Sequence, residues 1–98
     1  MSYEIIFLQP AAEELKAAVS WYEDKRSGLG FDFIEEVEEY LNLIQDNPYL
    51  FEEYKNRSNL HKVPLIRFPY SIIYWIAEQE KIVYIDAVFH SKRNPKFK

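Results

Sequence analysis

Two strongly apolar runs, residues 70–77 and 81–89, flank the triplet Glu78-Gln79-Glu80, and no other feature of the chain restricts its fold as much. Both runs are rich in β-branched and aromatic residues, and a short polar link between two such runs is the pattern of a β-hairpin. Successive strand side chains point to opposite faces. In the second run Ile82, Tyr84, Asp86, Val88 and His90 therefore form one set, and Val83, Ile85, Ala87 and Phe89 the other. The purely apolar set is expected against the body of the protein and the mixed set on an open face. The first run is apolar on both sides, with Tyr70, Ile72, Tyr74 and Ile76 on one and Ile73 and Trp75 on the other. Its open side is expected to meet a partner, since contiguous apolar surface on a small protein marks interaction sites. The competing expectation is that residues 48–59 or the C-terminal residues fold over it.

The rest of the chain supplies what the hairpin packs on. Residues 3–8 read as a short buried strand ended by Pro10. Residues 11–25 have helical period, with Ala11, Leu15, Ala18, Val19 and Tyr22 in one arc and Trp21 at its flank. Pro10 suits the first helical turn, and Gly28 and Gly30 are expected to end the helix and turn the chain. Residues 31–46 form a second amphipathic helix, with Phe33, Ile34, Val37, Tyr40, Leu41 and Ile44 on one face and Glu35, Glu38, Glu39 and Asp46 on the other. Asn47-Pro48 stops it. Residues 48–59 read as loop, and residues 60–68 as a strand that Pro64 places at an edge or a bulge. The order β-α-α-β-β-β predicts an α+β fold over residues 1–98, a helical hairpin packed on one face of a mostly antiparallel twisted sheet. Three chain reversals predict that the strand at 60–68 runs opposite to the first.

A chain of 98 residues is long enough for one core and not for two. Without cysteine it has neither disulfides nor thiolate metal ligands. No apolar run is long enough to span a bilayer, and the N-terminal residues lack a signal-peptide pattern, so a cytoplasmic protein is expected. Residues 1–54 carry 13 acidic and 3 basic side chains, and residues 55–98 carry 3 and 9, balances of −10 and +6 within a net charge of −4. The basic half could meet an acidic partner, or the two signs could be ordinary solvated faces. His61 and His90 lie 29 residues apart with no carboxylate motif beside them, so no metal is expected, and no phosphate loop, dinucleotide fingerprint or nucleophile elbow is present. No cofactor is implied.

Several segments together resemble the ParE/RelE toxin superfamily of bacterial type II toxin–antitoxin systems. They are PAAEEL, WYEDKRSGLGFDFIEEV, NPYLF, VPLIRFPYSIIYWI and VYIDAVFHSKRNP, which together run through nearly the whole chain. The pairing of RFPYSIIYW with VFHSKRNP is more similar to the ParE-like branch than to the ribonuclease branch. That resemblance implies a toxin neutralised by a cognate antitoxin and, for ParE itself, poisoning of DNA gyrase without catalysis by the toxin. The alternative is a RelE-like ribonuclease that cleaves messenger RNA on the ribosome, and a further one is a non-toxic adaptor of the same fold. Here the chain lacks a lysine-rich strand, and residues 60–65 offer only His61 and Lys62.

The candidate residues follow from both readings. A ribonuclease needs a base, cations around the phosphate and an acid, and His90, Arg67, Lys62 and Arg93 are the groups available. Partner binding would use Arg67, Tyr70, Tyr74, Trp75, Tyr84, Asp86, His90, Lys92 and Arg93. His90 could act as an acid or base, since histidine is the side chain suited to that work, and the competing reading is a sheet-end histidine that anchors the C-terminal residues. Arg67 could hold a phosphate or a partner's carboxylate, or pair with the acidic helices. Lys92, Arg93, Lys96 and Lys98 form a basic tail, and Tyr74 and Trp75 serve either as stacking surfaces or as core.

Overall fold

The computed structural model describes residues 2–92. Along the chain come β1 (Glu4–Phe7), α1 (Gln9–Lys25), α2 (Leu29–Asp46), β2 (Glu53–Tyr54), β3 (Arg57–Pro64), β4 (Tyr70–Ala77) and β5 (Ile82–His90). The strands form one sheet in the order β1-β5-β4-β3-β2. Only β1 and β5 pair in parallel, while β5–β4, β4–β3 and β3–β2 are antiparallel. The α+β architecture is the expected one, with a strand that the sequence did not reveal. The reversal argument in fact describes β2, the first strand after the helices, which runs opposite to β1. The next strand, β3, therefore runs in the direction of β1, contrary to expectation.

The β2–β3 link explains why β2 was hidden. Lys55 and Asn56 both have positive φ, 55° and 58°, between the paired residues Tyr54 and Arg57. Two consecutive left-handed residues make the tight hairpin turn that matches strand twist, and its usual signal is an Asn-Gly or Asp-Gly pair. Lys-Asn carries only half of that signal.

The helical hairpin is fixed by glycine and by a glutamate. At Gly28 the chain takes φ of 90°, a conformation costly for other residues, and α2 begins directly after it. Gly30 lies inside α2, not in the link as expected. A Cβ there would stand 2.8 Å from the Val19 carbonyl oxygen of α1, so its absence lets the two helices touch. Glu23 of α1 accepts the N–H groups of Gly28 and Gly30 at 2.9 and 3.0 Å. These are free amides of the first turn of α2, and their bonds hold the Glu23 carboxyl below its usual range.

Phe33, Val37 and Ile44 of α2 and Ala11, Ala18 and Tyr22 of α1 pack on Ile72, Tyr74, Ile76, Val83, Ile85 and Val88, with Leu15, Val19 and Leu41 at the margin. At one end Tyr22, Phe33, Phe68 and Tyr70 make an aromatic cluster with centroids 4.8–6.0 Å apart.

The strict alternation expected for β5 is broken at Asp86. Pairing runs from Tyr70 opposite His90 to Ile73 opposite Ala87, then resumes with Tyr74 opposite Ile85, leaving Asp86 as the extra residue of a β-bulge. The slip changes every face beyond it. Val88 joins Val83 and Ile85 in the core, and Ala87 and Phe89 lie opposite Ile73 and Ser71, across from the helices. Glu14 of α1 accepts the Val88 N–H at 2.8 Å, giving the amide beside the bulge a partner.

Candidate functional site

Two groups of the expected site residues emerge, one at a sheet end and one on the face away from the helices. The sheet end joins the β3–β4 connection, residues 65–69, to the end of β5. The Pro69 carbonyl accepts the Ser91 N–H at 2.7 Å, and the Ser71 and Ser91 hydroxyls are 2.9 Å apart. The same contact brings Arg67, Tyr70, His90 and Lys92 to one end of the molecule.

His90 is occupied there. Its Nδ1 accepts the Lys92 N–H at 3.2 Å, and its ring stands edge-on to Tyr70, centroids 5.3 Å apart. A nitrogen that accepts an amide hydrogen cannot carry a proton of its own in that bond. As the last residue of β5, His90 thus bonds the amide two residues further on. Arg67 and Lys92 are exposed, and neither forms an ion pair among the described residues. The Arg67 guanidinium lies 5.9 Å from the Phe68 ring, not against the acidic helix surface. Arg93, Lys96 and Lys98 lie outside the described residues.

On the opposite face Trp75 and Tyr84 stack, centroids 5.5 Å apart, with Trp75 40% exposed. Lys62 belongs to this face also, with Nζ 5.6 Å from the Tyr54 ring and 5.8 Å from the Phe89 ring. Ile73, Ser71 and Ala87 on the same face are buried, so the open apolar surface is centred on Trp75 and Tyr84 and is smaller than expected.

Two expected site residues belong elsewhere. Tyr74 is fully buried on the helix side, its hydroxyl donating to the Pro48 carbonyl at 2.7 Å, and burial raises its pKa. It is a core residue and offers no surface to a partner. Asp86 sits at the bulge, where burial raises its pKa, and its carboxylate has no hydrogen bond or ion pair among the described residues.

Sequence reasoning missed the carboxylates that hold the backbone. Glu36 is 2% exposed and accepts from Ile66 N at 2.8 Å and from Arg67 N at 3.0 Å. Its signal was available, for it lies one turn after Phe33 and beside Val37 on the packed side of α2. His61 was missed as a buried group as well. It is 3% exposed, stacks on Tyr74 at 5.3 Å and donates from Nδ1 to the Phe51 carbonyl at 2.8 Å, while Nε2 has no partner among the described residues. Trp21, placed at the rim of α1, is 54% exposed with the Lys25 ammonium 4.5 Å from its ring.

No helix among the described residues is long and apolar enough to cross a membrane. Nor do the described residues gather three His, Asp or Glu side chains in a metal-binding arrangement.

Solved structures share this fold. The isolated E. coli RelE toxin superposes with a TM-score of 0.74 at 17% identity, covering 95% of this chain and 88% of that one. A chromosomal ParDE toxin–antitoxin system from P. aeruginosa gives 0.77 at 14% identity, with coverage of 93% and 98%. The intact E. coli RelBE toxin–antitoxin complex gives 0.74 at 17%, covering 94% and 100%. At such identities the likeness speaks for the fold alone. Among curated proteins none matches the chain. The family description "ParE toxin of type II toxin-antitoxin system, parDE" matches residues 5–95, and the chain belongs to that toxin family.

Proposed function

We propose that this toxin works by binding protein, in the manner of ParE acting on DNA gyrase, and that a cognate antitoxin neutralises it by covering the sheet and the helical hairpin. The observation that carries this reading is that the described groups a ribonuclease would need do not all converge. Lys62 is on the Trp75 face, apart from Arg67 and His90 at the sheet end, and the His90 Nδ1 is bonded to the Lys92 amide. Stabilising a scissile phosphate takes several donors aimed at one point, and proton transfer takes a base within about 3 Å of its proton. A binding protein needs neither. It needs exposed aromatic and cationic groups on a rigid frame, as Trp75, Arg67 and Lys92 provide.

Relaxed plasmid, gyrase and ATP test the proposal directly. Supercoiling should fall as purified protein is added and recover on adding the protein encoded beside it. Undiminished supercoiling at saturating protein would reject the gyrase target. Cleavage of ribosome-bound messenger RNA by the same preparation would select the ribonuclease reading, and inertness in both assays the non-toxic adaptor.

A further inference from the structure

The connection between β3 and β4 is held more firmly than its length requires. Leu65 N donates to the Tyr70 carbonyl and Tyr70 N to the Phe68 carbonyl, both at 2.8 Å. The amides of Ile66 and Arg67 both donate to the Glu36 carboxylate, which comes from α2 and is 2% exposed. Phe33, one helical turn earlier, packs on Phe68 and Tyr70 at 5.1 and 5.2 Å. Leu65 and Phe68 point inward and are buried. Ile66, between them, is 84% exposed, the highest value among the exposed large apolar side chains described.

This arrangement runs against ordinary turn chemistry. A solvated connection is usually built from Gly, Pro, Asn, Asp or Ser, which close turns with their own short side chains. Here a carboxylate is buried without a cation partner among the described residues, a placement tolerated only when its oxygens are well satisfied. Its effect is to fix two consecutive backbone amides, and so to fix the directions of Ile66 and Arg67. A lone exposed isoleucine needs no explanation. One clamped at a sheet end beside a guanidinium with no ion pair among the described residues does, because a rigid apolar anchor next to a charge has the make-up of a binding hot spot.

We infer that residues 65–69 are a docking element, pre-set by Glu36, in which Ile66 enters an apolar socket and Arg67 meets a carboxylate on an acidic segment of a protein partner. The charge around the element selects that partner. Arg67 and Lys92 are unpaired among the described residues, and the local carboxylate, Glu36, is buried and committed to the backbone. Residues 55–98 as a whole carry a balance of +6. Ile66 argues for protein over nucleic acid, since a phosphate backbone offers no socket for an aliphatic side chain. The inference rests on reading the chain as the toxin of a toxin–antitoxin pair, and assigns the acidic segment to the antitoxin. Glu36 is then a positioning residue, acting through the amides it holds.

The test is calorimetric titration of the full chain with the purified protein encoded beside it. Ile66→Ser and Arg67→Ala alter exposed side chains and leave the fold in place. Each should weaken binding on the order of 10- to 30-fold, with the Arg67 share shrinking as salt rises. Glu36→Gln, which keeps one acceptor oxygen, should weaken binding in the wild-type background and add nothing to the double variant Ile66→Ser/Arg67→Ala. A merely structural Glu36 would act equally in both backgrounds. Wild-type affinity in the two single variants overturns the inference and leaves the toxin–antitoxin reading intact. Failure of the wild-type chain to bind its neighbour removes that reading and the inference with it. Loss of binding to a single-stranded RNA oligonucleotide in Arg67→Ala, with antitoxin affinity unchanged, would reassign the guanidinium to RNA and also overturn it.

Discussion

Three glutamates on the helices are the fasteners of this protein. Glu14, Glu23 and Glu36 each accept backbone N–H groups from a neighbouring element, at the bulge, at the start of α2 and at the β3–β4 connection. Periodicity alone cannot reveal such roles, because it separates apolar from polar and says nothing of what a carboxylate bonds to. Tyr74 teaches the reverse lesson. Its alternation with Trp75 placed it on the correct side of β4, but the sequence could not say which side the helices cover. Tyr74→Phe removes the hydrogen bond to the Pro48 carbonyl and should cost about 1–2 kcal/mol in denaturant unfolding, with partner affinity unchanged. Asp86 gives a second prediction. Burial raises its pKa from the ordinary 3.8, so the folded state binds that proton more tightly than the unfolded state does. Its favourable contribution is complete below 3.8 and is lost as pH rises through the raised folded value. At neutral pH the ionised form is a burden. Asp86→Asn should therefore raise Tm at pH 7, and the gain should vanish near pH 3. Equal Tm values at pH 7 would mean that the carboxylate is solvated after all.

Among the elements, those with an uninterrupted signal were legible and those set by a single local contact were not. The bounds of β4, Tyr70–Ala77, coincide with the apolar run, because an eight-residue β-branched and aromatic stretch leaves little choice. The bulge in β5 stayed hidden because Ala87, Val88 and Phe89 are apolar in either phase. The sequence pattern presents Gly30 as a turn residue because its role, contact with Val19 across the helical hairpin, is a tertiary one. Gly30→Ala decides between two effects of opposite sign. Alanine favours a helix interior by about 1 kcal/mol over glycine. Yet its Cβ would lie 2.8 Å from a backbone oxygen, and forcing packed elements apart costs typically about 1–3 kcal/mol. A net loss of stability is expected in urea denaturation, and a net gain would show that the helices separate freely.

The whole molecule is tied at the end opposite the proposed docking element. Glu78, in the β4–β5 link, accepts the Tyr3 and Tyr49 hydroxyls at 2.8 and 2.7 Å and pairs with Lys81. These bonds join the lead into β1, the segment after α2 and the hairpin. The Lys81 bond, then Tyr49 and Tyr3, bring the Glu78 pKa down from 4.5 to about 2, and the Glu78 bond pushes Tyr49 up to about 12. A depressed folded pKa gives stability that is present above 4.5 and lost as pH falls towards 2, the reverse of Asp86. Glu78→Gln should lower Tm at pH 7 and flatten its fall between pH 5 and pH 2. A variant with the wild-type slope would show that other carboxylates dominate acid unfolding.

At this scale the charge division along the chain has a structural counterpart. The acidic half forms β1 and both helices, and the basic half supplies β3, β4 and β5. The protein-binding role we propose predicts that the chain cuts no RNA. Mapping the ends of messenger RNA on translating ribosomes, with wild-type protein and with His90→Gln, tests that claim most directly. No new ends should appear with either protein, and toxicity in cells should survive the His90→Gln change. Codon-specific cuts by the wild type, lost on the order of 10²–10⁴-fold in His90→Gln, would contradict it.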